Sequence, residues 1–258
     1  MDAYRRYSMG EEPERSDTVY FFATCLVDAL YPEAGLGAMG LLRRAGVRVI
    51  FPREQSCCGQ AAYNAGFVRE ARAVARKQMQ WFSRPYPVVV PSGSCAAMMK
   101  HHYPRLFAGT AQEASARRFA GRVYELSEYL VRVLQVRLQD LGSPLTVTWH
   151  SSCHALREMA VVPYSKALIG QLQNITLVPL ARETECCGFG GTFAVRQPSL
   201  SAAMVRDKVA DIVATGARVV LSGDCGCLMN IQGAMERSGI AIAARHLAQF
   251  LWERTHVP

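Results

Sequence analysis

Short apolar runs alternate along this chain with longer stretches of helical periodicity. Thr18–Ala23 (TVYFFA) is rich in β-branched and aromatic residues and predicts a strand leading into Cys25. Over Glu33–Ala45 apolar positions recur at helical spacing until Gly46, so a helix is expected there. Val47–Phe51 predicts a second strand. Phe67, Ala71, Val74, Ala75 and Met79 then mark the buried face of a long helix over about Tyr63–Phe82. Val88–Val90 predicts a third strand ending at Cys95, with a helix from Ala96 and another over Glu128–Leu138.

The same order returns in the second half. Leu145–Trp149 leads to Cys153, a helix is expected over Val162–Leu172, and Ile175–Val178 leads to Cys186 and Cys187. Ala202–Ala214 reads as a helix stopped near Gly216, and Arg218–Leu221 as a strand running into Cys225 and Cys227. A helix follows, and His246–Trp252 is the last. Residues 111–121 read as a linker, and Asp140–Pro144 as the seam between halves. Strands alternating with helices predict an α/β fold with mostly parallel sheets flanked by helices. The expected divisions are a flexible leader over 1–17, a first domain over 18–142 and a second over 143–258. The leader has no positive segment feeding an apolar one, so a reducing, cytoplasmic location is expected.

Nine cysteines bring the chemistry into this picture. Cys25, the triplet Cys57-Cys58-Gly59 and Cys95 in one half match Cys153, Cys186-Cys187-Gly188 and then Cys225 or Cys227 in the other, at nearly equal intervals. Every group falls at a strand-to-helix turn, where parallel sheets bind ligands. A disulfide framework belongs to short secreted chains, whereas thiols in a reducing compartment serve metals, thiol chemistry or burial. Thiolates select iron–sulfur clusters, zinc or copper(I). Adjacent cysteines diverge too much to share one small ion easily, so the triplets favour a cluster, with zinc as the lesser alternative.

Gly59, Gly93, Gly188, Gly190, Gly191 and Gly226 would let backbone pass close to such a group. Cys225 is the odd cysteine and reads equally as a small buried hydrophobe. His150 and His154 flank Cys153 and are candidate metal ligands, proton carriers or donors to a cluster sulfur. Arg157 would offset the charge of an anionic cluster or face water. The run around Cys25 has no matching histidines, so the two sites are not expected to do identical work.

The formal charge of +8 comes from scattered arginines without the interleaved aromatics of a stacking platform, which ranks nucleic acid low. A cluster held by four thiolates carries roughly −2 and offsets part of that excess. No run is long enough for a membrane span, though peripheral association remains open. Gly35–Gly40 imitates GxGxxG but lies inside an expected helix, so it is discounted. A P-loop and the clustered cysteine run of ferredoxins are both missing.

With these residues in view, the chain resembles the tandem CCG cysteine-rich domain family. Its members include heterodisulfide reductase B and the iron–sulfur subunits of glycolate and anaerobic glycerol-3-phosphate dehydrogenases. The nearest likeness is to the stand-alone lactate-utilization branch, over about Val19–His246. The resemblance implies two pseudo-symmetric Rossmann-like CCG domains. It implies metal ligation by Cys25, Cys57, Cys58 and Cys95, and by Cys153, Cys186, Cys187 and Cys227. One or two 4Fe–4S clusters, cubane or noncubane, would be held. Where many relatives have a further cysteine, this chain has Ser92 and Asp224. The implied function is electron transfer in a complex oxidising L-lactate to pyruvate, with a ferredoxin-domain-bearing B-type subunit and a C-type subunit as partners. Thiol or disulfide reduction of the heterodisulfide reductase kind is the alternative, and a zinc-stabilised docking scaffold a further one.

Overall fold

The computed structural model describes residues 15–256. The expected leader therefore lies mostly outside the described residues. Its last three positions are seated on the first half, where Arg48 N donates to Asp17 O at 2.8 Å and the Arg15 guanidinium to Ala45 O at 3.0 Å.

Two four-stranded sheets carry the fold. The first contains β1 (Thr18–Phe21), β2 (Arg48–Ile50), β3 (Val88–Val90) and β4 (Val123–Glu125) in the order β2-β1-β3-β4. The second contains β5 (Leu145–Trp149), β6 (Ile175–Val178), β7 (Val219–Ser222) and β8 (Ala243–His246) in the order β6-β5-β7-β8. All pairings are parallel, with Tyr20 opposite both Ile50 and Val88, and Thr148 opposite both Val178 and Val220. Parallel strands return through crossovers, so their carboxyl ends share one rim. Of the central strands, β3 (VVV) is buried and apolar on both faces, as a parallel strand covered by helices on both sides should be, whereas β5 places Thr146 and Thr148 on one face.

The core between the halves joins the sheets. Phe21 and Val89 from one sheet and Val147, Trp149 and Leu221 from the other belong to a single apolar cluster. Helix Leu247–Thr255 of the second half lies across helix Pro32–Arg44 of the first. Here Gly35–Gly40 finds its physical reason. A Cβ on Gly37 would stand 2.9 Å from Ala248 O, and one on Gly40 2.7 Å from the Trp252 ring. The glycines permit helix contact, and the GxGxxG likeness is incidental.

Several local expectations change. The supposed linker 111–121 contains helix Glu113–Ala120 and leads into β4. β4 and β8 had no apolar run to announce them. The helix expected over Tyr63–Phe82 is two pieces, Gln60–Asn64 and Val68–Trp81, separated at Gly66, whose φ of 85° ends the first. The helix expected over Glu128–Leu138 is a short turn, Leu126–Glu128, followed by a π-helical turn, Tyr129–Val133, and Gln135 at φ 48° stops it. A second π-helical turn, Met98–His102, follows the helix that carries Cys95, Gly93–Ala97.

Candidate metal centre

Each cysteine is delivered by a helix start or a tight turn beyond a strand. Cys25 opens helix Cys25–Leu30, whose Thr24 hydroxyl accepts from Val27 N at 3.3 Å. Thr24 does so at φ 68°, a costly backbone for a β-branched residue, and it turns the chain sharply out of β1. Gly59 at φ 85° folds the first triplet back so that its N–H donates to Cys57 Sγ at 3.3 Å. Tyr103 donates to Cys58 O at 2.9 Å. Ser92 caps the helix of Cys95. These elements bring the thiols into a row: Cys25 bonds to Cys57, Cys57 to Cys58, and Cys58 Sγ lies 3.3 Å from Cys95 Sγ.

The second half builds the same row from Cys153, Cys186, Cys187 and Cys227. Gly188 N donates to Cys186 Sγ at 3.3 Å, and Asn230 holds Cys187 O at 2.8 Å, as Tyr103 holds Cys58. One difference stands out. His150 is fully buried, and its ring lies with Cys187 and Cys227 so that the three donor atoms are within 4.8 Å of one another. This His/Cys/Cys group is able to coordinate a metal ion.

Both rows open onto one cavity of about 380 Å³, lined by all nine cysteines. None of the nine is in a disulfide. Within each row negative charge settles on one sulfur. Hydrogen bonds from Cys25 and Cys58 draw the Cys57 thiol far below its ordinary range, and those from Cys153 and Cys187 do the same for Cys186. The donors Cys25, Cys58, Cys153 and Cys187 are pushed up in turn, with burial adding to the effect. Cys227 is lowered to about 7, first by Cys187, against its burial, with help from His150. Preformed thiolates among soft donors, with backbone N–H groups on two of the sulfurs, suit a metal or cluster that needs deprotonated ligands.

The remaining residues singled out in the sequence have other surroundings. Ser92 and Asp224 meet each other: Ser92 and Ser94 hydroxyls each donate to Asp224 Oδ1 at 2.7 Å, Ser94 N donates at 3.1 Å, and Ser152 donates to Oδ2. Burial would raise this carboxyl, but the bonds from Ser152, Ser94 and Ser92 hold it below the usual carboxylate range. Cys225 is buried with Val27 and Ala34, and burial pushes its thiol up. His154 lines the cavity with its Nε2 3.6 Å from Glu158 Oε1, while Arg157 turns to Thr184 O. Gly190, Gly191 and Gly226 line the cavity. Gly93 instead serves contact between halves, because a Cβ there would fall 2.5 Å from that of Ala155.

Sequence reasoning did not find His246 or Glu125. His246 Nδ1 accepts from Ala248 N, so Nε2 carries the proton and donates to Pro91 O at 3.0 Å and Gly223 O at 3.2 Å. It thereby ties together the two loops that carry Ser92 and Asp224. Glu125, in the matching place at the end of β4, caps the helix that follows it by accepting from Ser127 N and Glu128 N. Only the helix starts that follow these residues hinted at either role.

The cysteine-rich domain model of the CCG family matches the chain twice, over residues 19–100 and 147–232. Lactate utilization protein A of Geobacillus kaustophilus (strain HTA426) is 43% identical over 236 residues, covering 90% of this chain and 98% of that protein. The protein of that name from Shouchella clausii (strain KSM-K16) matches at 43% over 236 residues, covering 90% of this chain and 98% of that protein. Among solved structures, a hypothetical protein from Helicobacter pylori superposes with a TM-score of 0.68 at 8% identity. It covers 96% of this chain, which spans 51% of that one, and the likeness is one of fold alone. With two triplets in register, two matching sheets and relatives of near-equal length, the chain belongs to the CCG cysteine-rich domain family, related to lactate utilization protein A.

Proposed function

We propose that this protein is an iron–sulfur electron-transfer subunit of a lactate-utilization complex that oxidises L-lactate to pyruvate. The observation that carries the reading is the pair of four-thiol rows on one cavity, each with a sulfur poised as a thiolate. Cys25, Cys57, Cys58 and Cys95 would hold one group, and Cys153, Cys186, Cys187 and Cys227 the other. A 4Fe–4S cluster held there supplies one-electron transfer. The chain's own part is to direct Gly59 and Gly188 N–H groups at Cys57 and Cys186 and to fix the two centres side by side.

The relatives' names support the lactate-utilization context. A ferredoxin-domain-bearing B-type subunit and a C-type subunit are the partners this reading calls for, since an electron relay needs others to complete the reaction. Nine free thiols fit a reducing, cytoplasmic setting. No helix among the described residues is long and apolar enough to cross a membrane. The disulfide-reducing alternative is less favoured, because Ser92 and Asp224 are bonded to each other instead of being presented as further soft ligands.

Anaerobic purification with iron and sulfide analysis and EPR tests the proposal. Iron and sulfide amounting to at least one cluster per chain, with a reducible cluster signal, is the expected result. Stoichiometric zinc without labile sulfide, even after reconstitution, would overturn it in favour of a scaffold.

A further inference from the structure

We propose that His150 is a metal ligand of the second centre, giving it a mixed imidazole–thiolate donor set, whereas the first centre is served by thiolates alone. The inference deepens the reading above and rests on its claim that the cysteine rows bind metal.

The argument begins with strand parity. Trp149 points into the core between the halves, so its neighbours Thr148 and His150 face the other side of β5. The corresponding residue of the first half, three positions before Cys25, is Phe22. Phe22 is fully buried in the apolar cluster that contains Cys58 and Cys95. His150 therefore occupies beside Cys187 and Cys227 the place that Phe22 occupies beside Cys58 and Cys95. One half fills it with hydrocarbon and the other with a nitrogen donor.

A buried imidazole in an otherwise apolar place needs partners. Neither Nδ1 nor Nε2 of His150 meets a nitrogen or oxygen partner among the described residues, and what the ring faces instead are sulfurs, that of Cys227 near enough for the imidazole to lower its thiol. Leaving such a group unsatisfied is costly, and a phenyl ring would avoid the cost, as Phe22 does. The donor atoms within reach are the sulfurs of Cys187 and Cys227, at no more than 4.8 Å. A metal ion bound among them takes a ring-nitrogen lone pair and relieves the penalty; imidazole and thiolate are both suited to iron and zinc.

The test compares the full chain with His150→Phe, a change that copies the first half, and with His150→Leu in case the phenyl ring disturbs the fold. Protein labelled with 15N-histidine is reconstituted anaerobically with iron and sulfide and examined by pulsed EPR, with Cys57→Ser added to silence the first centre. A strong coupling to one directly bound histidine nitrogen is expected, and it disappears in the His150 variants. A cluster signal from the second centre without that coupling overturns the inference while leaving the electron-transfer reading intact. Should no cluster form, that reading falls, and cobalt(II) titration of the metal-free protein decides this one. His150→Phe is then expected to weaken cobalt(II) binding about tenfold or more and to alter its d–d bands; unchanged affinity and bands overturn the inference. Metal-free His150→Phe should also melt about 3 °C higher than the parent, because the stranded imidazole is gone. A lower melting temperature in the metal-free protein, in both variants, would assign His150 a structural role and count against ligation.

Discussion

Ser92 and Asp224, one from each half and each three positions before the last cysteine of its row, are joined by a 2.7 Å hydrogen bond. The pseudo-symmetric mates have thus become a joint between halves. Asp224 is fully enclosed, and three hydroxyls and the Ser94 amide stabilise its charge. Asp224→Ala strands all of these donors, and a loss of about 3–5 kcal/mol is expected from urea unfolding of the metal-free protein. Asp224→Asn keeps an acceptor and should lose about 2 kcal/mol. A change below about 1 kcal/mol for Asp224→Ala would show that the joint contributes little.

Glu125 supplies a pH signature. Burial, opposed by bonds from Ser127 and Glu128, raises its carboxyl from 4.5 to about 7. The folded chain therefore holds this proton more tightly than the unfolded one, and stability falls as pH rises from about 4.5 to about 7. The decline attributable to Glu125 is on the order of 3 kcal/mol. Glu125→Gln retains an acceptor for the helix cap but has nothing to titrate, so its stability profile should be flatter across that window. Parallel profiles for the two proteins, from urea midpoints at several pH values, would contradict the assignment.

The two triplet glycines should differ in their tolerance of a methyl group. Both have left-handed backbone, at φ 85° for Gly59 and 83° for Gly188. A Cβ on Gly59 meets nothing closer than 3.4 Å, whereas one on Gly188 falls 2.7 Å from Ser201 O. Gly59→Ala should cost about 1–2 kcal/mol from backbone strain alone. Gly188→Ala adds a collision with main chain, and about 3 kcal/mol or more is expected together with loss of metal from the second centre. Thermal unfolding and metal content of the two variants, measured side by side, check the contrast.

Cys225 and Cys187 should separate packing from ligation. By its offset from Cys227, Cys225 is the counterpart of Gly93 beside Cys95. Gly93 packs on Ala155, and Cys225 packs on Val27 in the matching contact. Cys225→Ala should cost about 1 kcal/mol and leave metal content unchanged. Cys187→Ser should lose the second centre's metal and, because binding and folding are linked, destabilise the loaded protein. The reverse ranking in metal analysis would show that the ligand set is misassigned.

What was legible in the sequence was local. The apolar runs of β1, β3, β5 and β7 each pointed at a cysteine, and the intervals between cysteines exposed the duplication. β4 and β8 were hidden because Val-Tyr-Glu and Ala-Ala-Arg-His lack a strand pattern; edge pairing with β3 and β7 makes them strands. Positive-φ stops at Gly66 and Gln135 divided or shortened helices whose periodicity ran on. The cysteine rows could be anticipated from spacing, but the bond from Ser92 to Asp224 could not, since only the folded chain brings those residues together. His150 was noticed for its chemistry, while its burial against the sulfurs of Cys187 and Cys227 depends on packing that no local pattern encodes.

The close crossing of Pro32–Arg44 by Leu247–Thr255 has a consequence for biosynthesis. An early segment of the chain has an apolar seat reserved for one made much later. While the ribosome is still working through the second sheet, the glycine stripe at Gly37 and Gly40 lies bare, and the first half exists as an unfinished intermediate. The seam between the halves closes only once Trp252 has emerged, after every residue that lines the cysteine cavity has been made.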